Sequence, residues 1–293
     1  MGTSTSSAGA GAGSPFDPPW LNGAGEGIDD SNGDTQMQPS SGGEGDGENG
    51  SGDSGDNGSA EPADGETSRN TNIAPPGRYK EARTRLGRFV RTGDQGDARR
   101  AVGSLVNKGM GGPAKAASRM RTTAVAASAL GGFLATARDG TNSNINEWVA
   151  AAKQRGLSAQ DVALEVIRRL TPAGGSVDEE SAKNAMSQAI VHLYEVSPDV
   201  DIFSLSDEQI SSLMGYTVAF DVYNRIQLEL GRVFEKLKFS AQVVHERLAQ
   251  LQDYVLVVVQ DAIAKVTSTG RVMDANEISR SALRSALDVF GAQ

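Results

Sequence analysis

The chain contains no cysteine, which removes disulfides, thiolate zinc sites and a thiol nucleophile from the candidate chemistries. Histidine is nearly as scarce, with only His192 and His245, and aromatic residues make up 5% of the chain. The first 68 residues contain no lysine or arginine. No stretch reaches the ~20 apolar residues that a bilayer requires. The longest uncharged stretch beyond the tail, Thr122 to Ala137, is dominated by Ala, Ser, Thr and Gly. The N-terminus has neither the basic n-region nor the apolar h-region of a secretory signal. These absences lead us to expect a soluble, cytoplasmic protein.

What is present is unevenly distributed. The net charge of −9 conceals three regions. Residues 1–68 carry thirteen Asp and Glu; residues 69–121 carry thirteen Lys and Arg against three acids; residues 122–293 carry fifteen basic and twenty-one acidic residues. Such asymmetry points to interaction tails and patches rather than to a particular fold. Seventeen of the 35 glycines lie in the first 68 residues. A segment such as SSGGEGDGENGSGDSGDNGSAEPADGE has no periodic apolar residues and cannot offset the entropy of ordering. We therefore predict a disordered acidic tail.

From Pro76 the pattern is helical. Tyr79, Ala82, Leu86 and Phe89 fall on one face of a first helix, and Ala98, Val102, Leu105 and Val106 on one face of a second from Asp94 to Lys108. GMGGP breaks the chain, and AKAASRMRTTAVAASALGGFLATAR reads as one long helix. Its rows Ala127-Gly131-Ala135 and Ala124-Ser128-Gly132 would let another backbone approach closely, as in the centre of a bundle. Further helices are predicted after Asn144 (ending at Gly156), Ser158, Ser176, Ser206, Ser240 and Asp274. Ser176 with Glu179 and Ser206 with Gln209 have capping-box spacing, and the helix after Ser206 is predicted to run through FEKLK. After Ser240, Val244, Leu248, Leu251, Val255, Val259, Ala262 and Val266 form a six-turn stripe. With Tyr254–Val259 apolar nearly all round, that helix belongs at the centre of a bundle or at a partner interface. The expected fold is all-α: a helical bundle behind a long disordered acidic tail. The expected domains are an arm at 1–25, a linker at 26–75 and a helical domain at 76–293, with a candidate sub-boundary near 140.

Signs of catalysis are few. HERLA at His245 begins like a zinc-protease helix, but Ala249 stands where the second ligand belongs. GDGENG at Gly45–Gly50 matches a dinucleotide fingerprint by letter, yet it lies in a polyanionic tail without a preceding strand. Asp199-Asp201 and Asp178-Glu179-Glu180 read as a loop acid pair and a helix first turn. No Walker loop or marked Ser–His–Asp triad is present, and we expect a protein that is not an enzyme and needs no cofactor or metal. The basic segment has two readings. Arg78, Arg83, Arg85, Arg88, Arg91, Arg99, Arg100, Lys108, Lys115, Arg119 and Arg121 can bind phosphates non-specifically, giving a nucleic-acid-binding accessory protein autoinhibited by its acidic tail. Alternatively they form a solvated face, or a dock for that tail.

The N-terminus carries the more specific signal. Met1 precedes Gly2, a small residue that permits removal of the initiator methionine. The exposed amine, with a pKa of about 8, is partly unprotonated and nucleophilic at neutral pH. MGTSTS also fits the loose myristoylation pattern. Some dozen residues on, Pro15, Phe16, Pro18, Pro19 and Trp20 form an extended segment with two aromatic anchors, suited to docking in a partner's pockets.

Met1 to Ser4, the small residues that follow, Pro15-Phe16 and Pro18-Pro19-Trp20, then an acidic linker and a helical region, resemble the QatB family of the bacterial Qat anti-phage defence operon. Phe16 replaces an expected leucine, and the Ala8–Gly13 repeat replaces a more usual Gly-Pro-containing stretch. The resemblance implies partners: a QueC-like enzyme (QatC) acting on the arm, with the ATPase (QatA) and the TatD-like nuclease (QatD) as candidate partners of the body. It implies that Gly2 accepts a 7-deazaguanine carboxylate, activated with ATP, as an amide. In that scheme Thr3 and Ser4 pass through a narrow channel, and the Pro/aromatic cluster holds the arm.

Overall fold

Local sequence explains where most helices begin. The computed structural model describes residues 76–171, 175–236, 239–269 and 273–293, with backbone alone at 159, 235 and 236. The arm and acidic linker, with Gly2, Thr3, Ser4, Pro15, Phe16, Pro18, Pro19, Trp20 and the Gly45–Gly50 fingerprint, lie outside the described residues. The helices are α1 (Lys80–Thr92), α2 (Gln95–Ser104), α3 (Pro113–Arg119), α4 (Arg121–Asp139), α5 (Ser143–Gln154), α6 (Ala159–Leu170), α7 (Val177–Val196), α8 (Asp207–Leu230), α9 (Arg232–Lys236), α10 (Ala241–Thr267) and α11 (Ala275–Gly291). A π-turn at Leu105–Gly109 and a 3-10 turn at Ile202–Ser204 complete the list, and no strand occurs among the described residues. The fold is all-α, as expected.

Side chains accept the orphan N–H groups at most helix starts. Asp94, Ser158, Ser240 and Asp274 cap α2, α6, α10 and α11. Both capping boxes form: Ser176 N–H donates to Glu179 Oε2 at 2.7 Å, and Ser206 N–H to Gln209 Oε1 at 2.9 Å. Gly156 ends α5 with φ +58°. The cap of α5 is Asn142 rather than Asn144; its side chain accepts from Ile145 N–H at 3.2 Å. α4 terminates at left-handed Gly140, leaving Asn142 extended and free to cap.

Two predicted long helices are broken. The run from 114 to 138 is interrupted at Met120, whose backbone leaves helical geometry (φ −96°, ψ 25°) while its side chain is buried. The break lets α3 pack on α11 while α4 packs on α8 and α11. The helix after Ser206 bends at Gly231, where a Cβ would lie 2.4 Å from the Gln227 carbonyl oxygen.

Among the described elements α8 is the hub, packing against α4, α7 and α10. It buries residues on every side, from Ile210 and Leu213 through Phe220 to Ile226 and Leu230. α11 packs against α4 and α10, α6 against α7, and α1 and α2 pair with each other. Close approach of α4 and α8 depends on the predicted small-residue row: a Cβ at Gly131 would fall 2.3 Å from Met214 Sδ. Trp148 on α5 stands edge-on to Phe133 on α4 and Phe203 in the 3-10 turn, with centroids 5.5 and 5.6 Å away. One hydrophobic core runs from Ala82 to Phe290.

Candidate functional site: an arginine-lined groove on the first helix

α1 buries Ala82, Leu86, Phe89 and Val90, which turns its arginines outward. Burial of the expected face is thus what presents the basic one. Beside that exposed face runs an open groove of about 680 Å³, lined by Arg78, Lys80, Arg85, Arg88 and Lys108, with Glu81 the single acid. Pro76, Gly77 and Thr84 complete the lining.

A buried carboxylate organises the groove. Asp97, in the first turn of α2, is 2% exposed. Its Oδ1 lies 3.7 Å from Arg85, 3.6 Å from Arg88 and 3.8 Å from Arg100. At those distances the attraction is charge to charge, and Oδ1 has no hydrogen-bond partner. Three guanidiniums around one anion leave a surplus of positive charge. At the groove's edge Lys108 pairs with Glu81 and holds its carboxyl below the usual range.

The other predicted cations diverge. Arg83 donates to the Glu229 carbonyl on α8 at 3.0 Å. Arg78 and Arg83 flank the Tyr79 ring at 4.5 and 5.5 Å. Burial, then a hydrogen bond to Glu229, pushes the Tyr79 phenol up to about 12. Arg99 lies over Tyr254 of α10 at 5.6 Å. Of the arginines singled out from sequence, Arg78, Arg85 and Arg88 line the groove and Arg100 joins them through Asp97. Arg83 and Arg99 tie α1 and α2 to α8 and α10. Lys80 and Asp97 escaped sequence analysis. Lys80 sits inside the same basic run, but nothing in a linear sequence marks Asp97 as the meeting point of arginines from two helices.

Four of the five other acids singled out from sequence, all but Asp199, are shown with structural partners. Asp178 pairs with Arg225, Glu179 completes its capping box, and Glu180 meets Lys183 at 2.7 Å. Asp201 caps the 3-10 turn and binds Lys153 at 2.7 Å. His192 lies 3.4 Å from Glu195 and edge-on to Tyr216 and Phe220, while His245 is exposed on α10. Among the described residues no group of three or more His, Asp or Glu could hold a metal ion, and no helix is long and apolar enough to cross a membrane.

A family model described as Qat anti-phage system associated protein QatB matches residues 111–290. That span covers more than half of the chain, from just before α3 into the end of α11. The groove helices α1 and α2 precede it. Neither the curated proteins nor the solved structures give a match.

Proposed function

The chain belongs to the QatB family of the Qat anti-phage system, and on that premise we propose that it serves defence as an acceptor protein rather than as an enzyme. Gly2, exposed by removal of Met1, is the acceptor for a 7-deazaguanine carboxylate. A QueC-like partner, QatC, activates that carboxylate with ATP. The glycine amine attacks the activated carbonyl, the activating group leaves, and the nitrogen gives up a proton as the amide forms. With a pKa of about 8, roughly a tenth of the amine is in the nucleophilic form at pH 7.

The observation that carries this reading is the order of residues in the arm. A glycine amine is followed by the small Thr3 and Ser4, and a dozen residues later by Pro15, Phe16, Pro18, Pro19 and Trp20. Such an arm can thread a narrow channel while its aromatic anchors bind elsewhere. The helical body is the scaffold, with QatA and QatD as its partners. One feature that suits a scaffold is the cleft between α4, α6 and α7, where the half-exposed Val125 and the half-buried Leu170 leave apolar surface open above the buried Met186.

The test is a Gly2→Leu substitution in cells that carry the whole system. A bulky second residue blocks methionine removal and fills the channel. Phage plating should return to the level of undefended cells. Protection that survives the substitution overturns the proposal.

A further inference from the structure

We infer that the groove on α1 binds the phosphate backbone of double-stranded nucleic acid, without reading its sequence. This is independent of the role proposed for Gly2.

Charge and spacing support it together. Five cations and one acid line the groove. From Lys80 to Arg88 the helix rises about 12 Å at ~1.5 Å per residue, and Arg78 stands just before its first turn. One strand of a duplex passes about four phosphates over that length, at ~3.4 Å each. The groove therefore offers about one cation per phosphate. The net charge of the chain is −9, but screening confines its influence to about 10 Å, so the local positive surface governs contact.

Geometry favours a duplex over other polyanions. A protein partner needs apolar anchors, and no large apolar side chain lines the groove. Single strands are held by aromatic rings on which bases stack. The aromatic residue nearest the groove in sequence, Tyr79, is flanked by Arg78 and Arg83 and hydrogen-bonded to Glu229. What is left is arginine and lysine, the chemistry of backbone contact. Asp97 acts as a positioning residue: buried behind Arg85 and Arg88, it holds their guanidiniums in place.

The test is fluorescence anisotropy of the full chain with a labelled 30-base-pair DNA, an RNA duplex of the same sequence and the single strands, from 25 to 200 mM salt. Both duplexes bear the same phosphates, and the two arms show which is preferred. Duplex affinity should fall on the order of 100-fold between 50 and 200 mM, as about four phosphate contacts dictate. Arg85→Ala with Arg88→Ala should flatten the logarithmic salt slope by about 2. Because that pair also supports Asp97, Arg78→Ala with Lys80→Ala provides a second variant that leaves Asp97 its partners. It should flatten the slope comparably. Arg168→Ala with Arg280→Ala removes the same charge from exposed positions on α6 and α11, and should leave the slope unchanged. No binding at 25 mM, tighter binding to single strands, or equal losses from groove and control variants would each overturn the inference.

Discussion

α8 and α10 are the two longest helices, with 24 and 27 residues, yet they occupy different environments. The valine-rich stripe of α10 suggests the central element, but α8 holds the centre. α10 buries a single line, Leu251, Val255, Val259, Ala262 and Ile263, and leaves Val257 60% exposed. Its first three turns, with Val244 and Leu248, are at most half-buried. α8 buries the polar Thr217 and Asp221 along with its apolar residues. A central helix is distinguished by small and apolar residues all round, with its polar groups satisfied internally. Thr217 donates to the Leu213 carbonyl at 3.0 Å, and Asp221 accepts from Thr123 and Ser181. A highly hydrophobic hexapeptide need not be buried on every side: Val255 and Val259 enter the core while Val257 faces outward.

Truncation breaks this contrast most sharply. Leu213→Ala, at a position with 0% exposure on α8, should cost about 2–5 kcal/mol in urea unfolding. A loss below about 1 kcal/mol would show that α8 is not the hub. Overpacking comes next. Gly131→Val forces a Cβ into Met214 and should cost about 1–3 kcal/mol. If stability is retained, the α4–α8 contact is looser than described. Asp221 gives a pH-dependent test. Burial raises its carboxyl above the ordinary value of 3.8, although hydrogen bonds from Ser181 and Thr123 and the charge of Arg225 oppose the rise. Its folded pKa therefore exceeds its unfolded one. The stabilising contribution is complete below 3.8 and is lost as pH climbs through the folded value. Asp221→Asn should remove this dependence, so its stability relative to the parent should improve from pH 3.5 to 7. A difference independent of pH would contradict the assignment. Val257→Ala, on the outer face of α10, should stay within about 0.5 kcal/mol. A larger loss would place α10 deeper than its exposure indicates.

The same contrast separates what was legible in the sequence from what was not. Caps depend on residues three apart, so Ser158, Ser176, Ser206, Ser240 and Asp274 could be read directly. The inward faces of α1 and α2 follow from a period of 3.6, and burying them necessarily exposes the arginines. The break at Met120 goes with the packing of α3 and α4 on different helices, the bend at Gly231 lies where a Cβ would meet the Gln227 carbonyl, and neither carries a proline. The candidate groove was visible as composition, but its organisation was not. Arg85 and Arg88 come from α1, Arg100 and Asp97 from α2, and only the pairing of those helices brings them together. Asn142 and Asn144 offer the same cap chemistry two residues apart, and only the end of α4 at Gly140 selects Asn142.

The central claim concerns the arm rather than the body. Intact-mass spectrometry of the protein recovered from cells expressing it with QatA, QatC and QatD tests that claim directly. The account predicts a chain without Met1, heavier by one acyl-linked 7-deazaguanine at Gly2, and an unmodified chain when QatC is omitted. A retained Met1, or a bare glycine in cells that resist phage, would contradict it.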